Sequence, residues 1–236
     1  MKQDNLWDFY QNEGTEAFSG SFSRLNYLAR LCRRFSSPDR KRILDVGIGS
    51  GIFETYALSL GLDVYALDPN ERAIQALATS MNLRGRVRVG HSQRNPFDSN
   101  FFDVVVASEL LEHLSAEELR GTISETARVL SPHGYFIGTV PANENLMQQF
   151  VVCPECSHHF HRWGHTQSFS LEQIFTLLEA GFKDCKVFLR FFPNRPPSMV
   201  FDLPLFDWCY NILRKFFAWI GIMRGGACII FIAQKQ

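Results

Sequence analysis

From residue 41 onward the chain alternates short, nearly continuous apolar runs with stretches whose apolar positions recur at helical spacing. KRILDV, DVYALD, VRVGHS, FDVVVAS and GYFIGTV predict strands. Between them, SGIFETYALSL (stopped by Gly61), NERAIQALATSM and SAEELRGTISETARVL predict helices, the last opened by a capping box from Ser115 to Glu118. Apolar strands alternating with helices predict a parallel sheet covered on both faces. Upstream, Phe18, Phe22, Leu25, Leu28 and Leu31 place a helix in residues 16–35, closed by Ser36–Asp39. After Pro141 the rhythm breaks, and residues 142–169, rich in Cys, His, Asn and Phe, read as an irregular insertion. It resumes with a helix capped by Ser170 and Gln173 and stopped by Gly181, then the strands KVFLRFF and GGACIIFIA. The division expected is one domain over 1–236: a helical cap (1–40), a core (41–141), the insertion (142–169) and a C-terminal part (170–236).

Composition adds limits. The 24 basic and 24 acidic residues cancel, so no overall positive field would gather nucleic acid, and a small-molecule partner is expected instead. The start, MKQDNLWDFYQNEG, lacks the basic and apolar parts of a signal peptide. The runs FFAWIGIM and ACIIFIA are too short to span a bilayer, so a cytoplasmic protein is expected. Four cysteines stand alone (Cys32, Cys185, Cys209, Cys228) and read as buried thiols.

The sharpest chemical signal is Asp45-Val46-Gly47-Ile48-Gly49-Ser50-Gly51, between a predicted strand and a predicted helix. Glycines there permit a tight turn, and the following helix presents unpaired N–H groups, which suits a nucleotide cofactor. A dinucleotide fingerprint would put its third glycine at Ile52, but the glycine is at 51, which argues against NAD. Asp68 ends the second predicted strand, where a carboxylate can accept from two ribose hydroxyls; the plainer alternative is a cap on the next helix with Pro69.

The D-x-G-x-G-x-G spacing resembles motif I of class I S-adenosylmethionine-dependent methyltransferases. The stretch from Val89 to Pro141 resembles the branch that includes the ubiquinone-biosynthesis methyltransferases. The resemblance implies a Rossmann-like, doubly wound, mostly parallel α/β sheet of seven strands with helices on both faces and the last strand antiparallel. It implies S-adenosylmethionine as cofactor, with Asp45 near its amino group, Gly47, Gly49 and Gly51 beneath it, Asp68 and Pro69 at the ribose, and Ser108 and Glu109 bordering the methyl-donor pocket. Family members often carry an acid where this chain has His91, so the adenine contacts fall to His91 and Ser92.

Methyl transfer from a sulfonium needs an aligned acceptor and, for a hydroxyl, a base. In SELLEH, Glu109, Glu112 and His113 fall at i, i+3 and i+4, on one face of an expected helix. His113 is the candidate base; the trio holding a divalent cation, or simply capping and filling a corner, are the alternatives. Cys153, Cys156, His161 and His165 match the spacing of a structural zinc site, with His158 and His159 as rivals and two free thiols or a C-x-x-C redox pair as the alternatives.

The expected function is methyl transfer to a small molecule, on an oxygen of a saccharide, a phenol or quinone precursor, or a lipid-linked intermediate. An adaptor that uses the Cys/His insertion to bind partners, and an NAD-dependent oxidoreductase, are the competing classes. Aromatics at Trp7, Phe9, Tyr10, Phe160 and Trp163 suit a roof over the acceptor. In 199–223, Pro204 can open a helix whose polar residues Asp207, Asn211, Arg214 and Lys215 form one stripe. Its broad apolar remainder is expected to pack beneath the N-terminal helix, or else to make a homodimer or a peripheral membrane contact.

Overall fold

The structure is a computed structural model that describes residues 3–12, 22–36, 38–39, 41–192, 204–219 and 227–236. The expected helical residues 16–21, and residues 199–203 and 220–223 of the aromatic stretch, lie outside the described residues.

Seven strands form one sheet: β1 (Arg42–Val46), β2 (Asp63–Asp68), β3 (Val87–Val89), β4 (Phe102–Ser108), β5 (Leu130–Pro141), β8 (Lys183–Phe191) and β9 (Ala227–Gln234). Their order is β3-β2-β1-β4-β5-β9-β8. β1, β2, β3, β4 and β5 pair in parallel, while β9 runs antiparallel to both β5 and β8. The central parallel strands are largely apolar because both faces are covered. Along β1 and β4 alternate residues serve opposite cores: Leu44, Val46, Val105 and Ala107 on one side, Ile43, Val104 and Val106 on the other. α5 (Ala116–Val129) and α6 (Leu171–Glu179) close the first core with Leu119, Ile123, Ile174 and Leu178. α2 (Phe22–Phe35), α3 (Ile52–Ser59) and α4 (Glu71–Ser80) close the second with Leu28, Phe53, Ile74 and Leu77. The capping boxes expected at Ser115–Glu118 and Ser170–Gln173 are both formed.

Four expectations need correction. Residues 142–169 are not wholly irregular: β6 (Phe150–Val152) and β7 (His159–His161) pair as an antiparallel hairpin. FVV and HFH are short β-forming runs separated by a turn, and the loop is closed at its base by a bridge from Ala142 to Phe169. SELLEH does not form a helix, because Glu109 sits at φ 54° and only Leu111–His113 make a single 3-10 turn. Of the lone cysteines only Cys32 is buried; Cys209 is exposed, and Cys185 and Cys228 are intermediate. Finally, α7 (Pro204–Trp219) turns two of its polar residues inward: Asn211 Oδ1 accepts from Phe191 N–H at 3.0 Å and Arg214 lies over the Phe191 ring. That leaves Trp208, Ile212, Leu213 and Phe216 exposed rather than covered. An additional helix, α1 (Gln3–Asn12), has no counterpart in the sequence reading. No helix among the described residues is long and apolar enough to cross a membrane.

Candidate active site

Strand order reverses about β1, between β2 and β4, and opens a crevice at the carboxyl ends of β1 and β4. From Val46 the chain turns into α3 with Gly47, Gly49 and Gly51 at φ 87°, 54° and 78°, a region other residues enter only with strain. A Cβ on Gly51 would stand 3.0 Å from Leu77 Cδ1, so the loop is pressed onto α4. Asp68 closes β2 and organises what lies around it. Its Oδ2 accepts from Ile48 N–H at 3.1 Å and from Gln11 Nε2 at 3.1 Å, and its Oδ1 accepts from Asn70 N–H at 2.8 Å. The cap of α4 is Asn70, whose Oδ1 accepts from Ala73 N–H at 3.1 Å; Asp68 is therefore left to the crevice.

A cavity of about 800 Å³ fills the crevice. One end is walled by Asp45, Gly47, Gly49, Asp68, Pro69, His91 and Ser92. The other is walled by Trp7, Tyr10, Arg24, Ser108, Glu109, His113, Glu144, Trp163 and His165. α1 spans it: Tyr10 Oη donates to Arg162 O at 2.8 Å, Gln11 reaches Asp68, and Trp7 meets the His113 ring edge-on at 4.5 Å between centroids.

The floor is acidic. Asp45 and Asp68 line it, Glu54 neighbours Asp45 without lining the cavity, and all three are buried. Burial pushes the Asp45 carboxyl well up, and neighbouring Glu54 adds to it. Burial also raises Glu54 to about 7. Asp68 is raised by burial too, against the N–H groups of Asn70 and Ile48 and the amide of Gln11. Such a floor favours a cationic ligand, because a nearby positive charge restores the ionised forms.

A family model described as a methyltransferase domain matches residues 44–138. The ubiquinone biosynthesis O-methyltransferase of Pectobacterium atrosepticum is 27% identical over 188 residues, 77% of this chain and 68% of that protein. The Photobacterium profundum protein of the same name is 27% identical over 173 residues, 71% of this chain and 64% of its own. Residues 44–138 thus carry a methyltransferase domain, and the chain resembles S-adenosylmethionine-dependent methyltransferases. Solved structures agree in fold. A SAM-dependent methyltransferase from Archaeoglobus fulgidus superposes with TM-score 0.64 at 21% identity, covering 93% of this chain and 97% of that one. The Burkholderia thailandensis 1,6-didemethyltoxoflavin-N1-methyltransferase superposes with TM-score 0.65 at 16% identity, covering 99% and 87%.

The residues singled out in the methyltransferase sequence distribute unevenly. Gly51 stands behind the cavity, against Leu77 and Met81. Ser92 Oγ pairs with Thr122 Oγ1 at 2.6 Å. Glu109 faces Arg24 at 3.7 Å, and Arg24 Nε donates to Ser108 Oγ at 3.3 Å. His113 is buried, and burial first, then His165, pushes its pKa down to about 3.

The expected zinc ligands fall into two groups. Cys153 and Cys156 lie together in the turn of the hairpin, where the N–H groups of Cys156 and Glu155 lower the Cys153 pKa. His165 lines the cavity instead, and ligating atoms cluster as Glu144, His161 and His165 and as Glu112, His113 and His165. Neither of these clusters contains a cysteine. His161 is committed to its own turn: its Nδ1 accepts from Trp163 N–H at 3.3 Å and His165 N–H at 3.1 Å. Gln11, Arg24, Glu54 and Glu144 went unnoticed in sequence. Arg24, a cation on an otherwise apolar helix face, was the one with a visible signal.

Proposed function

We propose that the enzyme methylates an oxygen of a small-molecule acceptor, with a phenol or quinone precursor favoured over a saccharide or lipid-linked intermediate. The observation that carries this is the single cavity joining the glycine loop and Asp68 to a chamber walled by Trp7, Tyr10 and Trp163. Flat aromatic walls suit an aromatic acceptor. The name of the two curated relatives points the same way. S-adenosylmethionine, when bound, supplies a methyl group on a cationic sulfur. Asp45, Gly47, Gly49, Asp68, Pro69, His91 and Ser92 would hold it, with Ser108 and Glu109 at the methyl end. α1, Arg24 and Leu25 of α2, and the 142–169 segment would roof the acceptor within one domain.

Calorimetry and turnover test the reading together. Tight binding of S-adenosylmethionine, none of NAD, and methyl transfer to phenolic hydroxyls are expected. Glu54, raised to about 7, must ionise to favour a cation, so affinity should rise between about pH 6 and pH 8. The same raised pKa means that the folded chain holds more protons than the unfolded one between the ordinary carboxyl range and 7. Stability without ligand therefore falls as pH rises through that window, and the thermal shift given by the cofactor grows. Tighter binding of NAD, or cofactor binding without transfer to any hydroxyl, would defeat the proposal.

Two narrower readings accompany it. Zinc, expected as a structural ion, is supported here by the thiol pair Cys153 and Cys156; metal content of protein purified without chelator, against the Cys153→Ser variant, checks it. The exposed face of α7 is the surface for a homodimer or peripheral membrane contact, which sizing and liposome flotation separate.

A further inference from the structure

We propose that His165, oriented by Glu144, is the general base that takes the acceptor's hydroxyl proton. The idea rests on the oxygen-acceptor reading above. It begins with the turn His161-Arg-Trp-Gly-His165. Gly164, at φ 74°, folds this turn so that the N–H groups of Trp163 and His165 both reach His161 Nδ1. The His161 Nδ1 lone pair is thereby used, so its proton resides on Nε2, which faces Glu144 Oε1 at 3.5 Å. The other carboxylate oxygen, Oε2, is hydrogen-bonded to His165 Nδ1. Glu144 thus stands between two imidazoles. It fixes the proton of His165 on Nδ1 and leaves Nε2 with a free lone pair.

The position is as specific as the tautomer. His165 and Glu144 both line the acceptor end of the cavity. Thr166 and Gln167 N–H groups donate to Glu112 O at 2.8 and 3.1 Å, which ties the segment to the turn after β4. That brings the His165 ring edge-on to His113 at 4.6 Å between centroids, and stacks it on His161 at 4.6 Å. His113, the base suggested by sequence, is buried among these groups and holds a proton poorly. The charged and titratable groups around His165 are Glu144, His161, His113 and Glu112.

The step balances without further reagents. The acceptor O–H proton passes to His165 Nε2 while the oxygen's electron pair forms the bond to the methyl carbon. The carbon–sulfur pair remains on sulfur, and the imidazolium, stabilised by Glu144, later releases its proton to water. The constellation matches the base-plus-orienting-carboxylate arrangement of general-base sites. Glu144 is a positioning residue in this scheme.

Wild-type transfer to a hydroxyl acceptor is measured first, then His165→Gln and Glu144→Gln across pH and across phenols of falling pKa. His165→Gln should lower kcat about 100-fold or more while cofactor affinity by calorimetry stays within twofold. Its loss should shrink as the phenol becomes more acidic, and added imidazole should restore rate. Glu144→Gln should lower kcat about tenfold and move the acid limb of its pH profile. A wild-type chain that transfers to no hydroxyl overturns the oxygen reading and the base with it. Transfer by the wild type that His165→Gln leaves intact, or reduces equally for every phenol and pH, overturns the base alone. So does activity abolished by chelator and restored by a divalent cation, which would make His165 a metal ligand.

Discussion

Gly138→Ala should remove a large part of the chain's stability. Gly138 lies mid-strand in β5, opposite Ala107 of β4 and Phe231 of β9. A Cβ there would sit 2.1 Å from Ala107 O and 2.4 Å from Phe231 Cζ. The oxygen belongs to a strand at the centre of the sheet, so it cannot retreat without breaking the ladder. The Phe231 ring is fully buried against Phe136, at 4.9 Å between centroids, and has no space to rotate into. Overpacking of this kind costs on the order of 4–5 kcal/mol, against a total stability of roughly 5–15 kcal/mol. Gly85→Ala is the control. Gly85 has a positive φ, of 84°, but open space around it, so the change should cost only about 1–2 kcal/mol. Urea unfolding followed by circular dichroism reads both. A Gly138→Ala protein with the wild-type midpoint would show that β4 and β5 separate more easily than the packing implies.

What the sequence disclosed, and what it hid, divides by the range of the interactions. The strands β1 to β5, the glycine turn and the boxes at Ser115 and Ser170 are written in neighbouring residues, so periodicity and spacing reveal them. Asp68 was legible for the same reason, since a carboxylate at that strand end follows from local order along the chain. Glu144 and His165 are 21 residues apart and meet only because the Ala142–Phe169 bridge closes the loop between them. No spacing rule brings them together, and the pattern of cysteines and histidines pointed to a joint metal site instead. Glu109 shows a second kind of failure. Its i, i+3, i+4 spacing to Glu112 and His113 is helical, yet its φ of 54° ends the regular chain before a helix can form. α7 shows a third. Its apolar breadth was read correctly, but which side faces the sheet is decided by one bond from Phe191 to Asn211 and by Arg214 over a ring. α1 was missed because a polar helix of ten residues carries a weak pattern and is held by side-chain contacts to distant loops.

Replacing Asp68 should cost the enzyme most of its cofactor affinity. Asp68→Ala removes the acceptor expected for two ribose hydroxyls and also releases three donors that the structure shows bound to it: Ile48 N–H, Asn70 N–H and Gln11 Nε2. The first effect is loss of contact, and the second is loss of shape. Ile48 belongs to the glycine loop, so an untethered Ile48 N–H loosens the turn under the cofactor. At about 1–3 kcal/mol for hydrogen bonds to a charged group, affinity should fall tenfold or more. Asp68→Asn distinguishes charge from geometry. An amide has one acceptor oxygen, but N–H donors approach both Asp68 oxygens, Ile48 at Oδ2 and Asn70 at Oδ1. Whichever way the amide turns, one N–H meets an NH₂ group, so Asp68→Asn should weaken binding nearly as much as Asp68→Ala. Gln11→Ala removes only the contact from α1 and should change affinity by a few-fold at most. Titration calorimetry with S-adenosylmethionine and with its demethylated product measures all three variants. An Asp68→Asn enzyme that binds both ligands within twofold of wild type would show that the ribose is held elsewhere in the cavity.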